Sequence, residues 1–327
     1  MILTVTLNPA IDITYHVDAL TPGATHRVSR VDERLGGKGV NVASVLQQLG
    51  EAVTLTGLLH EGPPHFTPIA AHPRRTVVVT DGRDATGFWE PGPVVSAAEW
   101  ATFTEDFARL AAAARVVVFS GSLPSGLPDH AYASLIRLSL SAGCLTILDT
   151  SGPALAHGFA AGPDIVKPNA TELPHLIARS PSPATPPGGA DSPGGANSAG
   201  RTTPPGGTSL AAGASPAGST PAGVISTRAA LGRGESGTVV VESHGAEGLR
   251  ALGWRARPPR HIEGNPTGAG DACVAALARG LLHGTPWPEL LREAVALSAA
   301  AVASPIAGHV DLELYAAIKP EVKVEEL

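Results

Sequence analysis

Short apolar runs of strand length recur along this chain, and most are followed by a segment of helical period. Residues 2–7, 52–58, 115–119, 144–149, 164–166 and 237–242 are such runs. Residues 36–49, 96–113 and 129–141 read as helices between them. A chain that alternates in this way folds as an α/β domain around a mostly parallel sheet, because parallel strands need crossover connections. The strands end in Asn8-Pro9-Ala10, Ser120-Gly121-Ser122, Asp149 and Lys167-Pro168-Asn169. Polar residues gathered at strand ends are what a ligand site at one sheet edge requires.

Four other segments are more polar. Residues 11–17 and 25–33 alternate loosely and read as exposed antiparallel strands. Residues 75–80 and 85–89 read as a hairpin around Asp81-Gly82. The stretch between Gly57 and Arg74 is short, with prolines that forbid a helix interior. Residues 180 to about 235 are dominated by Pro, Gly, Ala, Ser and Thr. Such a stretch cannot bury enough apolar surface to offset its ordering entropy, so a disordered insertion is expected there. After it come a turn at 243–248, a return strand at 249–252, and Ala-rich helices following residue 270 and over 287–303. A short helix and tail are expected at the end.

Two helices open on glycine. Asn265-Pro266-Thr267-Gly268-Ala269-Gly270-Asp271-Ala272 leads straight into an apolar, Ala-rich run. Gly268 and Gly270 permit a tight turn with bare N–H groups, and these with the helix dipole form an anion site. Asp271 is a carboxylate beside that site. A base next to a phosphate cradle is what transfer of a phosphoryl group to a hydroxyl needs. Gly36-Gly37-Lys38-Gly39-Val40-Asn41 opens the other helix. Lys38 offers a point charge for a phosphate, and Asn41 both donates and accepts hydrogen bonds.

The net charge of −6, with no basic stripe, argues against nucleic-acid binding. No run reaches 18 apolar residues, so no membrane span is expected. Cys144 and Cys273 lie in apolar runs, which suggests buried thiols and a cytoplasmic, reducing location. A dinucleotide-binding dehydrogenase is disfavoured, because no G-x-G-x-x-G follows the first strand.

Taken together the motifs resemble the PfkB-type, ribokinase-like sugar kinases, nearest the 1-phosphofructokinase and tagatose-6-phosphate kinase branch. The resemblance runs from Met1 to about Gly308, interrupted by the insertion, so one kinase domain spans 1–327. It implies a ribokinase-like three-layer sandwich with a small β-lid at about 11–33 and 75–89. It implies ATP and Mg²⁺ as cofactors and a ketohexose phosphate as acceptor, with fructose 1-phosphate ahead of tagatose 6-phosphate and fructose 6-phosphate. A kinase of an unphosphorylated sugar or nucleoside, and a non-catalytic binder of the same ligands, are the alternatives. By the same resemblance Asp271 matches the catalytic base, with Gly268, Ala269 and Gly270 as the anion hole. Asp12, Gly37, Lys38, Asn41, Arg74 and Ser122 match the acceptor side. Lys167, Ser243, Gly245, Gly248, Gly268 and Gly270 match the nucleotide side. Asn169 and Glu172 match the group that organises Mg²⁺ through water. Pairing of lids into a homodimer is also implied.

Overall fold

The computed structural model describes residues 1–82, 84–178 and 237–327. Its centre is strand β1 (Ile2–Thr6), every residue of which is buried. β1 lies in a fully parallel sheet of seven strands. On one side are β8 (Val116–Ser120), β9 (Leu145–Asp149), β10 (Ile165–Val166) and β11 (Val239–Val240). On the other are β4 (Val53–Leu59) and β5 (Phe66–Pro68). Every neighbouring pair in this sheet is parallel. Strands covered on both faces are mostly apolar, with threonine as the commonest buried exception, which is why they read as short apolar runs.

Successive β1 side chains divide between two cores. Ile2 packs with α1 (Lys38–Gln48), α6 (Ala269–His283) and α7 (Trp287–Val302) on one face. Leu3 and Val5 pack with α2 (Ala97–Ala111), α3 (Ala131–Ser141), α4 (Gly152–Ala160) and α5 (Leu173–Ala178) on the other. The result is the expected three-layer sandwich. In the second core Phe103, Phe107, Phe119 and Tyr132 form a continuous run of rings, with Phe119 and Tyr132 edge-to-face at 5.9 Å.

The small lid is a separate four-stranded sheet made of β2 (Ala10–His16), β3 (Arg30–Gly36), β6 (Arg74–Thr80) and β7 (Ala85–Trp89), in the order β3-β2-β6-β7. The hairpin at 75–89 holds. β2 and β3 pair antiparallel as expected. The second lid strand starts at Arg30 rather than residue 25, and β2 takes β6 on its other side in parallel. Loose alternation sets neither start nor partner, because weakly buried strands specify register weakly.

Other corrections have physical causes. Helix α4 was not expected, since Gly152, Pro153 and Gly158 look like breakers. Pro153 sits in the first turn, where its missing N–H costs nothing. Gly158 lies against the Leu148 side chain, which a Cβ there would strike. The segment after Leu59 forms no helix and adds β5 to the sheet edge. The tail beyond α8 (Leu312–Ile318) is strand β15 (Lys323–Glu326). It pairs with β14 (Trp254–Arg257), in a sheet that also holds β12 (Glu242–Ser243) and β13 (Leu249–Ala251). The insertion expected at about 180–235 lies outside the described residues. No helix among the described residues is long and apolar enough to cross a membrane.

Candidate active site

The two glycine-opened helices meet at the carboxyl edge of the seven-stranded sheet. Gly268 is the N-cap of α6 and holds a left-handed conformation (φ 92°). A side chain there would press on the Ala307 backbone at 3.0 Å, so the turn also needs glycine for close packing. Ala269, Gly270 and Asp271 form the first turn of α6. Helix geometry leaves first-turn N–H groups such as those of Gly270 and Asp271 without a carbonyl within the helix. Asp271 sits in the same turn; it is 5% exposed, and Asn41 Nδ2 on α1 donates to its Oδ2 at 2.8 Å.

Burial, and then the negative charge of Asp149, push the Asp271 carboxyl up to about 6; the Asn41 hydrogen bond, Lys38 and Lys167 pull the other way. A general base must be ionised, so kcat/KM should fall about tenfold per pH unit below about pH 6 and level off above it. A pH–rate profile of the acceptor reaction checks this; an acid limb near pH 4 would show that burial does not govern this carboxylate.

Asp149, the last residue of β9, is the hub of the cationic side. Lys38 Nζ lies 3.2 Å from its Oδ2 and Lys167 Nζ 3.1 Å from its Oδ1. Burial alone would raise the Asp149 carboxyl, but the two ammoniums outweigh it and hold it below its ordinary value. Lys167 is nearly fully buried, which disfavours its charge, yet Asp149 keeps it firmly protonated. A Cβ on Gly270 would sit 3.7 Å from Lys167 Nζ, so this ammonium abuts the first turn of α6.

A second polar cluster is built on the lid. Asp12 on β2 has its carboxyl raised by burial, against the opposing pull of Arg34 and Arg74. Arg34 on β3 donates from Nη2 to Asp12 Oδ2 at 2.8 Å and from Nη1 to Asn41 Oδ1 at 3.2 Å. Gly37 is the N-cap of α1 at φ 110°, with Gly39 against the β1 backbone. Arg74 opens β6 in register with Ala10 and donates to the Asn8 carbonyl at 3.4 Å. Ser122 Oγ accepts from Asn8 Nδ2 at 3.0 Å.

On the remaining side, Asn169 and Glu172 cap each other. Glu172 Oε2 accepts from the Asn169 N–H at 3.0 Å, and Asn169 Oδ1 accepts from the Glu172 N–H at 2.9 Å. Asn169 pairs with Ser243, whose N–H donates to the Pro168 carbonyl at 3.1 Å. Gly245 opens a single 3-10 turn and Gly248 follows it, both at positive φ (55° and 89°). No described contact joins that turn to Asp271.

Asp149 and Arg34 were missed in the sequence. Asp149 carried a signal, as the polar end of an apolar strand run, the same signal that marked Lys167. Arg34 carried none, because a lone arginine on an exposed strand is most often solvated.

A family model, the pfkB family carbohydrate kinases, matches residues 5–61, 66–184 and 217–313. The chain belongs to that family. It is accordingly a phosphotransferase acting on a carbohydrate. Solved structures agree on the fold. Phosphofructokinase-2 of Escherichia coli, in complex with substrates and products, has a TM-score of 0.73 at 21% identity over 98% of each chain. A Thermotoga maritima protein described as a "possible 1-phosphofructokinase" has 0.70 at 22% identity, over 100% of this chain and 99% of that one. An Arabidopsis thaliana ribokinase complexed with ribose and ATP has 0.60 at 18% identity, over 97% of this chain and 98% of that one.

Proposed function

We propose that this kinase transfers the γ-phosphoryl group of ATP to the free hydroxyl of a ketohexose phosphate, with fructose 1-phosphate giving fructose 1,6-bisphosphate as the leading case. One observation carries the phosphosugar reading. Arg74 stands half-buried beside Asp12 on the acceptor side, and among the described residues no carboxylate ion-pairs with it. A cation kept partly from water without an ion-pair partner suits an anionic substituent on the acceptor.

The residues also fit the cofactors. The α6 N-terminus and Lys167 offer donors and charge for a polyphosphate. Asn169 Oδ1 and Glu172 Oε2 both accept from their own loop, so the pair would act on Mg²⁺ through water rather than as part of a cage. When bound, ATP supplies the phosphoryl group and Mg²⁺ offsets its charge. Asp271 takes the acceptor hydroxyl's proton as that oxygen bonds to the γ-phosphorus and ADP departs with the bridging oxygen. The first N–H groups of α6 and Lys167 hold the charge that spreads over the transferring group. Asp12, Gly37 and Asn41 hold the acceptor's hydroxyls, and Lys38, ion-paired to Asp149, serves the acceptor's existing phosphate together with Arg74. Ser122 borders the acceptor, while Ser243, Gly245 and Gly248 border the nucleotide.

An ADP-release assay over fructose 1-phosphate, fructose 6-phosphate, tagatose 6-phosphate and free fructose tests this. A phosphosugar should lead; preference for free fructose would overturn the reading. Arg74→Ala should weaken phosphosugar use roughly 10- to 100-fold, from a charge-assisted contact of about 1.5–3 kcal/mol. The loss should sit mainly in KM and leave the KM for ATP in place. Equal losses on phosphosugar and free fructose would remove Arg74 from phosphate recognition.

Two copies would pair through the lid's outer face. There Tyr15 lies opposite Val31 and Val79, and Ile13 follows Val77 and Phe88, with Val31 and Phe88 more than half exposed. The E. coli relative has a tetrameric inhibited form. Light scattering of wild type and Phe88→Asp distinguishes a lid dimer from a monomer.

A further inference from the structure

We propose that Arg34 is a positioning residue: it fixes the Asn41 side-chain amide with its oxygen toward the lid and its N–H on Asp271. This rests on Asp271 being the base of the transfer proposed above.

The argument is one of donors and acceptors. A side-chain amide has a donor end and an acceptor end, and only its partners decide which faces which way. A guanidinium only donates, so the end of Asn41 that meets Arg34 Nη1 at 3.2 Å must be Oδ1. That leaves Nδ2, 2.8 Å from Asp271 Oδ2, as the donor to the base. An ionised carboxylate only accepts, so both ends are consistent in one orientation alone.

Arg34 is itself held. Its second terminal nitrogen donates to Asp12 Oδ2 at 2.8 Å. The Asp12 carboxylate can lie against β3 because residue 36 is glycine; a Cβ there would overlap it. From the far side Gly308 packs against Asn41, where an added Cβ would come within 2.8 Å of Oδ1. Asp12, Arg34, Asn41 and Asp271 therefore form one hydrogen-bonded chain from the lid to the base. Two of its members are on lid strands, one on α1 and one on α6. Arg34 lies on the same lid face as Asp12, since the two are directly paired across β2 and β3.

The other groups facing Asp271 are Lys38 and Asn41 from α1, Asp149 from the end of β9, and Lys167 after β10. The three charged groups do not orient the Asn41 amide: no contact to it from Lys38, Lys167 or Asp149 is present among the described residues. Without Arg34 the amide is free to turn its oxygen toward Asp271. Only the protonated carboxyl can accept that neighbour by donating to it, so the protonated form gains.

The test is a pH titration of the Asp271 carboxyl by carbon-13 NMR on aspartate-labelled protein, with the signal assigned through Asp271→Asn. Arg34→Leu should raise the titration midpoint by about one unit, and Arg34→Lys, which keeps a donor-only cation, should return it most of the way. In the Asn41→Ala background, Arg34→Leu should add no further shift. An unmoved midpoint in Arg34→Leu overturns the proposal. So does an equal shift in the Asn41→Ala background, which would mean that Arg34 acts through its charge alone. Matching pH–rate profiles should show the acid limb of kcat/KM move with the midpoint while the KM for ATP stays within about twofold. The NMR arm needs no turnover. If the wild type phosphorylates no sugar, the kinase reading fails while the titration still decides the role of Arg34.

Discussion

Asp271→Asn should lower kcat by roughly 10²–10⁴-fold, the usual worth of a positioned general base. Acceptor and ATP binding should change little, because the Asn41 contact and the α6 N–H groups remain. The same substitution should stabilise the fold at neutral pH. The carboxyl is held at about 6 against an ordinary 3.8, so the native state binds its proton more tightly than the unfolded chain. Stability from this group is full below about pH 4, declines as pH rises to about 6, and stays reduced above. The difference between 3.8 and about 6 corresponds to roughly 3 kcal/mol. Melting temperatures of both proteins at pH 4 and pH 8, beside single-turnover rates, check the two halves together. A variant that turns over within a few-fold of wild type removes Asp271 from the chemistry. A variant gaining as much stability at pH 4 as at pH 8 shows that ionisation is not the cause.

Asp149→Ala should cost about 3–5 kcal/mol of stability as well as activity. Asp149 and Lys167 side chains are only 3% and 6% exposed, and Lys38 is the second cation on the same carboxylate. Removing the carboxylate leaves a buried ammonium with no direct ion-pair partner, only the more distant Asp271, and a second positive charge beside it. Replacing the buried pair together, as Asp149→Leu with Lys167→Met, should recover most of the stability, since well-packed apolar residues need no counter-ion. Activity should stay lost in the double variant, because the contact proposed between Lys167 and the phosphoryl group is gone. Denaturant unfolding of the single and double variants measures this. A loss below about 1 kcal/mol in Asp149→Ala would mean that water reaches the pair.

The reach of the sequence differed from element to element. The lid hairpin at β6 and β7 was legible because Asp81-Gly82 is a strong local turn signal between alternating residues. The start of β3 was not, because that strand is exposed at Arg30, Val31 and Asp32, where no burial pattern marks a boundary. Helix α4 was hidden by glycines, one of which, Gly158, serves close packing against Leu148, a reason invisible in a one-dimensional reading. Strand β15 was hidden because its pairing with β14 joins the last residues to a segment some seventy positions earlier.

By itself the sequence determined the parallel α/β architecture, the two glycine-opened helix starts and the acid that follows one of them. These are local properties, set by periodicity, backbone freedom and helix-end chemistry within a few residues. The tertiary structure alone decided which charges neutralise one another. Lys38 meets Asp149 across 111 positions, and Asn41 meets Asp271 across 230. A carboxylate's role depends on what burial removes and which partner replaces water. Asp149 becomes a clamp for two lysines, while Asp271, beside it and served by a neutral amide, is left with the raised affinity for protons that suits a base.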